Sequence, residues 1–111
     1  MDDFVEQGLL YDFYGSLLTP HQQDIYGMLI YQDLSLNEIA QQQGISKQAV
    51  SDLVRRVSAQ LAEYERRLGL LNRFRHIRDQ CDALDRAADQ LADEAAAARI
   101  RGCAEAIRSE L

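Results

Sequence analysis

The chain has 111 residues, 47% of them hydrophobic, with 18 acidic side chains against 12 Lys and Arg and a formal net charge of −6. One proline, six glycines and the lack of β-branched runs point to one mostly helical domain, or a domain with a tail. No apolar run nears the roughly 20 residues of a bilayer span, and Met-Asp-Asp does not open a secretion signal, so the expected location is cytoplasmic.

In chain order, Leu10, Phe13, Tyr14 and Leu17 keep helical spacing, predicting an amphipathic covering helix over residues 3–17. Thr19-Pro20-His21-Gln22 supplies an N-cap, a first-turn proline and a capping-box glutamine for a second helix, whose core stripe is Ile25, Met28 and Leu29. Tyr26, Tyr31 and Tyr64 are expected to add rims to the same core.

The most specific layout follows, between Leu34 and Arg56. Ser35 and Glu38 form a capping box, with Leu34 and Ile39 as a hydrophobic staple. Gly44 supplies a left-handed turn, and Ser46 caps another helix between the staple residues Ile45 and Val50. Two short helices crossing at a glycine turn read as a helix-turn-helix. Small Ala40 lets them approach, and Val50, Leu53 and Val57 face inward. Ser46, Lys47, Gln48, Ser51, Asp52 and Arg55 then face outward near the helix start, where base-reading side chains sit. The candidate nucleic-acid-binding set is Ser46, Lys47, Gln48, Ser51, Arg55 and Arg56, with Asp52 opposing it.

The apolar stripe continues through Val57, Leu61, Tyr64, Leu68 and Leu71, carrying the second motif helix to about Leu68, with Gly69 as a break. This divides the chain into a helix-turn-helix domain, 1–68, and a helical tail, 69–111. In the tail Ile77, Cys81, Leu84, Ala88, Leu91, Ala95 and Ala98 alternate by four and three over about three heptads. Such a seam suits a helical partner: a second copy, making a homodimer, or an earlier helix folding back. Gly102 reads as an interruption before a short remnant with Ile107 and Leu111.

Charge is unevenly spread. Residues 1–33 hold six acids and no Lys or Arg, residues 34–60 are +1, residues 61–80 are +2 with five arginines, and residues 81–111 are −3. Positive charge therefore gathers between Arg55 and Arg78, as nucleic-acid binding requires. The supply is thin, because a strongly salt-dependent binder makes about 6–10 phosphate contacts. An arginine face paired with acids such as Glu63 and Glu65 accounts for the same residues equally well.

Tyr11-Asp12-Phe13-Tyr14-Gly15-Ser16-Leu17-Leu18-Thr19, then Asp33-Leu34-Ser35-Leu36 and Glu38-Ile39-Ala40, resemble the YlxM family of helix-turn-helix proteins. Ile45-Ser46-Lys47-Gln48-Ala49-Val50, Asp52-Leu53-Val54-Arg55-Arg56 and Tyr64-Glu65-Arg66-Arg67-Leu68 continue the match, which spans about Leu9 to Phe74. The resemblance implies an all-α fold similar to region 4 of bacterial sigma factors and a regulatory role in the signal recognition particle pathway. Gln43 departs from it, standing where such motifs place a large apolar residue, and the alanine-rich tail does not follow it closely.

Three functions compete. One is a DNA-binding regulator, with Lys47 and Gln48 at bases or phosphates and Arg55 and Arg56 on the backbone. Another is a protein or RNA partner of the signal recognition particle, and the third a purely structural dimer. Catalysis has little support: His21 and His76 fall on surface helices, and the chain has no phosphate-cradling glycine loop and no distinctive carboxylate pair. Cys81 and Cys103 lack ligand spacing to either histidine, so no metal or cofactor is expected.

Overall fold

The computed structural model describes residues 3–111. Helix α1 (Asp3–Tyr14) tightens into a single 3-10 turn, Gly15–Leu17; α2 (Pro20–Ile30), α3 (Leu36–Gln43), α4 (Lys47–Leu68), α5 (Leu70–Ala88) and α6 (Glu94–Ser109) follow. No strand occurs among the described residues, so the fold is all-α. By packing, the chain forms two units, one reaching to Leu71 and the other beginning at Asn72.

In the first unit the starts of α2, α3 and α4 are each fixed by a side chain close in sequence. Thr19 Oγ accepts from the Gln22 N–H at 3.2 Å while Gln22 Oε1 accepts from the Thr19 N–H at 3.0 Å. Ser35 and Glu38 repeat this reciprocal cap at α3. Helices α1, α2 and α3 all pack on α4, the spine of the unit. Ile25, Tyr26, Ile39, Val50, Val57 and Leu61 are fully buried there.

The covering helix departs from its expected register at its end. Leu17 is 56% exposed, whereas Leu18 is buried. The ring of Tyr11 lies against Gly15, where an added Cβ would meet it at 3.1 Å, so the chain tightens at this glycine. Leu18 then leaves the helix in extended conformation and takes the inward place. A similar shift occurs at Leu68, which is 53% exposed at the last position of α4, while Leu71 in the next helix is buried instead. Tyr31, expected at the rim of the core, is also exposed; its hydroxyl donates to Asp12, and that bond pushes its pKa up to about 12.

Gly69 ends α4 in the left-handed conformation, and α5 begins at the next residue. The orphan amides of a new helix need acceptors, and two of them are supplied from a distance. The Leu70 N–H donates to the Tyr14 hydroxyl at 3.0 Å, and the Leu71 N–H to Glu65 Oε1 at 3.0 Å. The Tyr14 hydroxyl itself donates to Glu65 Oε1 at 2.6 Å, and burial followed by this carboxylate contact raises its pKa. Tyr14→Phe removes a donor and an acceptor together, and stranding a part-buried amide costs about 1–3 kcal/mol. The expected result is a lower urea midpoint at unchanged slope in an equilibrium unfolding curve.

The second unit is a helical hairpin made by α5 from Asn72 onward and α6. The continuous seam expected through Ile77 to Ala98 is interrupted: α5 stops at Ala88, and Asp93 caps α6 by accepting the Ala95 and Ala96 N–H groups at 3.0 and 3.2 Å. Cys81, Ala88, Ala97 and Ala104 are buried, while Ala95 and Ala98 of the expected seam are exposed. Gly102 lies within α6 and does not break it. Arg108 of α6 reaches Asp82 and Asp85 of α5 at 2.7 and 2.6 Å, and Arg101 pairs with Asp89, so the two helices run antiparallel. Cys81 and Cys103 are both free.

Candidate nucleic-acid interface

Backbone geometry sets up the turn between α3 and α4. Gly44 has φ +68°, the left-handed region that a residue without Cβ enters freely. The amides of Gly44 and Ile45 both return to the Ala40 carbonyl, closing the end of α3. Two residues later Ser46 Oγ accepts from the Ala49 N–H at 3.0 Å and starts α4. Ile39 and Ala40 from α3 and Val50, Leu53 and Val57 from α4 are buried, so the two helices share one apolar seam. Gln43 is half-buried, and its side-chain amide donates to the Met28 sulfur at 3.8 Å. A thioether acceptor thus replaces the apolar contact that such motifs place there.

Opposite that seam the start of α4 is open. Ser46, Lys47, Gln48, Arg55 and Arg56 are exposed and Ser51 is half-buried. From Ser46 to Arg56 they cover about 15 Å of helix axis, at 1.5 Å per residue. Three of the six are engaged: Ser46 caps the helix, the Gln48 side-chain amide donates to Asp52 Oδ1 at 3.0 Å, and Arg55 Nη2 donates to the same oxygen at 2.5 Å. The last two bonds, the arginine's first, hold the Asp52 carboxyl below the usual carboxylate range, so it stays ionised in the middle of the face. Lys47 and Arg56 make no ion pair among the described residues.

Further along α4, Arg66 and Arg67 both close on Glu63, at 2.6 and 2.7 Å, and pull its pKa down to about 2. Glu63 thus meets the paired-arginine expectation, and Glu65 accepts from the Tyr14 hydroxyl and the Leu71 amide at the start of α5. Sequence reasoning placed Asp52 on the face but did not see it as the centre of a clamp. The signal was present in the spacing, with Gln48 four residues before and Arg55 three after. Among the described residues no group of three His, Cys, Asp or Glu side chains is arranged to hold a metal ion. Nor is any described helix long and apolar enough to cross a membrane.

Capped α3, a left-handed glycine, capped α4 and a polar outer face on α4 define a helix-turn-helix protein. The chain belongs to the UPF0122 family, described as "Putative helix-turn-helix protein, YlxM / p13 like", which it matches over residues 1–99. It is 46% identical over 91 residues to a UPF0122 protein of Symbiobacterium thermophilum, covering 78% of this chain and 85% of that one. A UPF0122 protein of a Thermoanaerobacter species is 42% identical over 83 residues, covering 75% and 71%. One from Geobacillus kaustophilus is 40% identical over 84 residues, covering 76% of each. No solved structure matches the chain.

Proposed function

We propose that this chain is a cytoplasmic, non-enzymatic DNA-binding regulator that works as a homodimer and inserts the start of α4 into a major groove. The observation that carries this reading is the polar face of Ser46, Lys47, Gln48, Ser51, Arg55 and Arg56, borne on a helix whose opposite side is buried through Val50, Leu53, Val57 and Leu61. A B-form major groove is about 12 Å wide and admits one helix. Lys47 and Gln48 meet base edges or phosphates, and Arg55 and Arg56 hold the backbone.

Asp52 restrains this face, and its removal tests the reading. Asp52→Asn deletes one negative charge and releases Arg55, so duplex affinity rises and the plot of log affinity against log salt steepens by about 1. Fluorescence anisotropy of a mixed-sequence duplex, titrated at several salt concentrations, reads both effects. Flat curves at low salt for both proteins overturn the DNA reading.

A second reading is favoured by the same clamp and by the acid-only segment 1–33, which repels a duplex. Here the motif is a scaffold that modulates the signal recognition particle through its protein or RNA. Binding to the particle's RNA or protein, together with no binding to duplex DNA, selects it.

A further inference from the structure

Two acids of α4 are held by arginines, and the two pairs are built differently. Glu63 is saturated: Arg66 donates to Oε1 at 2.9 Å and to Oε2 at 2.6 Å, and Arg67 donates to Oε2 at 2.7 Å. The planar fork of Arg66 is fully engaged in that pair. Asp52, on the outer face near the start of the helix, receives both of its donors, Gln48 and Arg55, on Oδ1. Nothing among the described residues donates to its Oδ2. Arg55 in turn uses one N–H, at Nη2, of the five that a guanidinium carries. One edge of its fork is therefore open for a bidentate contact. Both groups reach solvent, the Arg55 side chain being 66% exposed and that of Asp52 45%.

The open groups match base edges, and they match them selectively. Guanine shows O6 and N7 to the major groove, the pair of acceptors that an arginine fork meets. An ionised carboxylate, as Asp52 is, can only accept. It suits the amino group at cytosine N4 and is repelled by thymine O4 and guanine O6. Adenine also offers an amino group, but beside the acceptor N7, whereas cytosine presents a donor alone.

Geometry puts the two contacts one step apart. Three residues on a helix span about 4.5 Å of axis, against about 3.4 Å for a base-pair step. The bond between Arg55 and Asp52 holds donor and acceptor side by side before any duplex arrives, which lowers the cost of ordering them. An exposed pair at this spacing adds little to helix stability, and an acid on this face weakens attraction to phosphates. Its contribution is the rejection of wrong bases, by repulsion as much as by attraction.

We propose that Arg55 and Asp52 determine the sequence specificity of the α4 face: Arg55 reads a guanine, and Asp52 Oδ2 accepts from cytosine N4 of the adjacent base pair. This inference rests on the duplex-DNA reading put forward above and moves Arg55 from the backbone to a base edge. Lys47 and Arg56, which make no ion pair among the described residues, hold the phosphates. The element selected is two consecutive G·C pairs.

The test is repeated selection from a duplex library randomised over its centre, by the full native chain and by two variants. Anisotropy on the selected duplexes and circular dichroism of each protein accompany it. For the native chain the enriched sites should share two consecutive G·C pairs, and replacing the guanine pair should weaken binding roughly 5–150-fold. Arg55→Lys keeps the charge and loses the fork, so the choice of guanine disappears at an unchanged salt slope. Asp52→Asn can donate as well as accept. It should tolerate thymine or guanine where cytosine was required, while binding unselected duplex more tightly. An ion pair that only supports the helix would move none of these preferences.

Salt-sensitive binding without any enriched sequence overturns the inference and leaves the DNA reading standing. The same holds for one enriched sequence common to all three proteins, or for an element lacking adjacent G·C pairs. Failure to bind any duplex at low salt overturns both.

Discussion

Replacing Lys47, Arg55 and Arg56 together by alanine is expected to abolish most of the salt dependence of duplex binding. Each neutralised phosphate contributes about 0.9 to the slope of log affinity against log salt, so Lys47 and Arg56, with Arg55 held by Asp52, account for about 1.8. Between roughly 50 and 200 mM salt that slope corresponds to about a 12-fold loss of affinity, which the variant no longer shows. All three side chains are exposed, so the thermal unfolding curve should stay in place and separate lost contacts from a lost fold. An unchanged slope in the variant would show that other cations hold the nucleic acid. Arg73 and Arg78 on α5 would be the next to replace, both being exposed. Arg78 also lies over the Phe74 ring, 5.4 Å from its centre.

Ile39→Ala is expected to be the most damaging single change in the motif. Ile39 is fully buried on α3, which packs directly on α4. Truncating a buried isoleucine costs about 2–5 kcal/mol through lost apolar transfer and the cavity left behind. A small domain holds only about 5–15 kcal/mol in total, so this is a large share of its stability. Equilibrium urea unfolding should show the midpoint falling steeply. Retention of the native midpoint would mean that α3 collapses onto α4 without strain and that the seam is softer than its burial implies.

What the sequence revealed was local. The caps at Thr19, Ser35 and Ser46 act within three residues, and the turns at Gly44 and Gly69 need only one residue each. Spacing alone therefore exposed the helices of the motif and the outward placing of Lys47, Gln48 and Arg55. The partners of Tyr14 were illegible, because Glu65 and Leu70 lie 51 and 56 positions away and no spacing rule reaches that far. The end of α5 was missed for a different reason. Residues 89–93 contain neither glycine nor proline, and the apolar alternation runs straight through them. Only Asp93 ahead of an alanine-rich run marked a new start there. Gly102 misled in the opposite direction, since an isolated glycine costs a helix about 1 kcal/mol but does not end it. The family resemblance, strongest up to Phe74, could not correct either reading.

The dependence of α1 on α4 also has a bearing on how this chain is made. Residues leave the ribosome in order, at about 5–20 per second, and the last turn of α4 is completed 54 positions after Tyr14. For roughly 3–10 s the nascent chain thus carries Leu10 and Tyr14 without the surface that will bury them. α2 and α3, whose caps are self-contained, can form helical turns during that wait. The closing of α1 is then the final act of the first unit's birth, timed by synthesis rather than by the speed of helix formation.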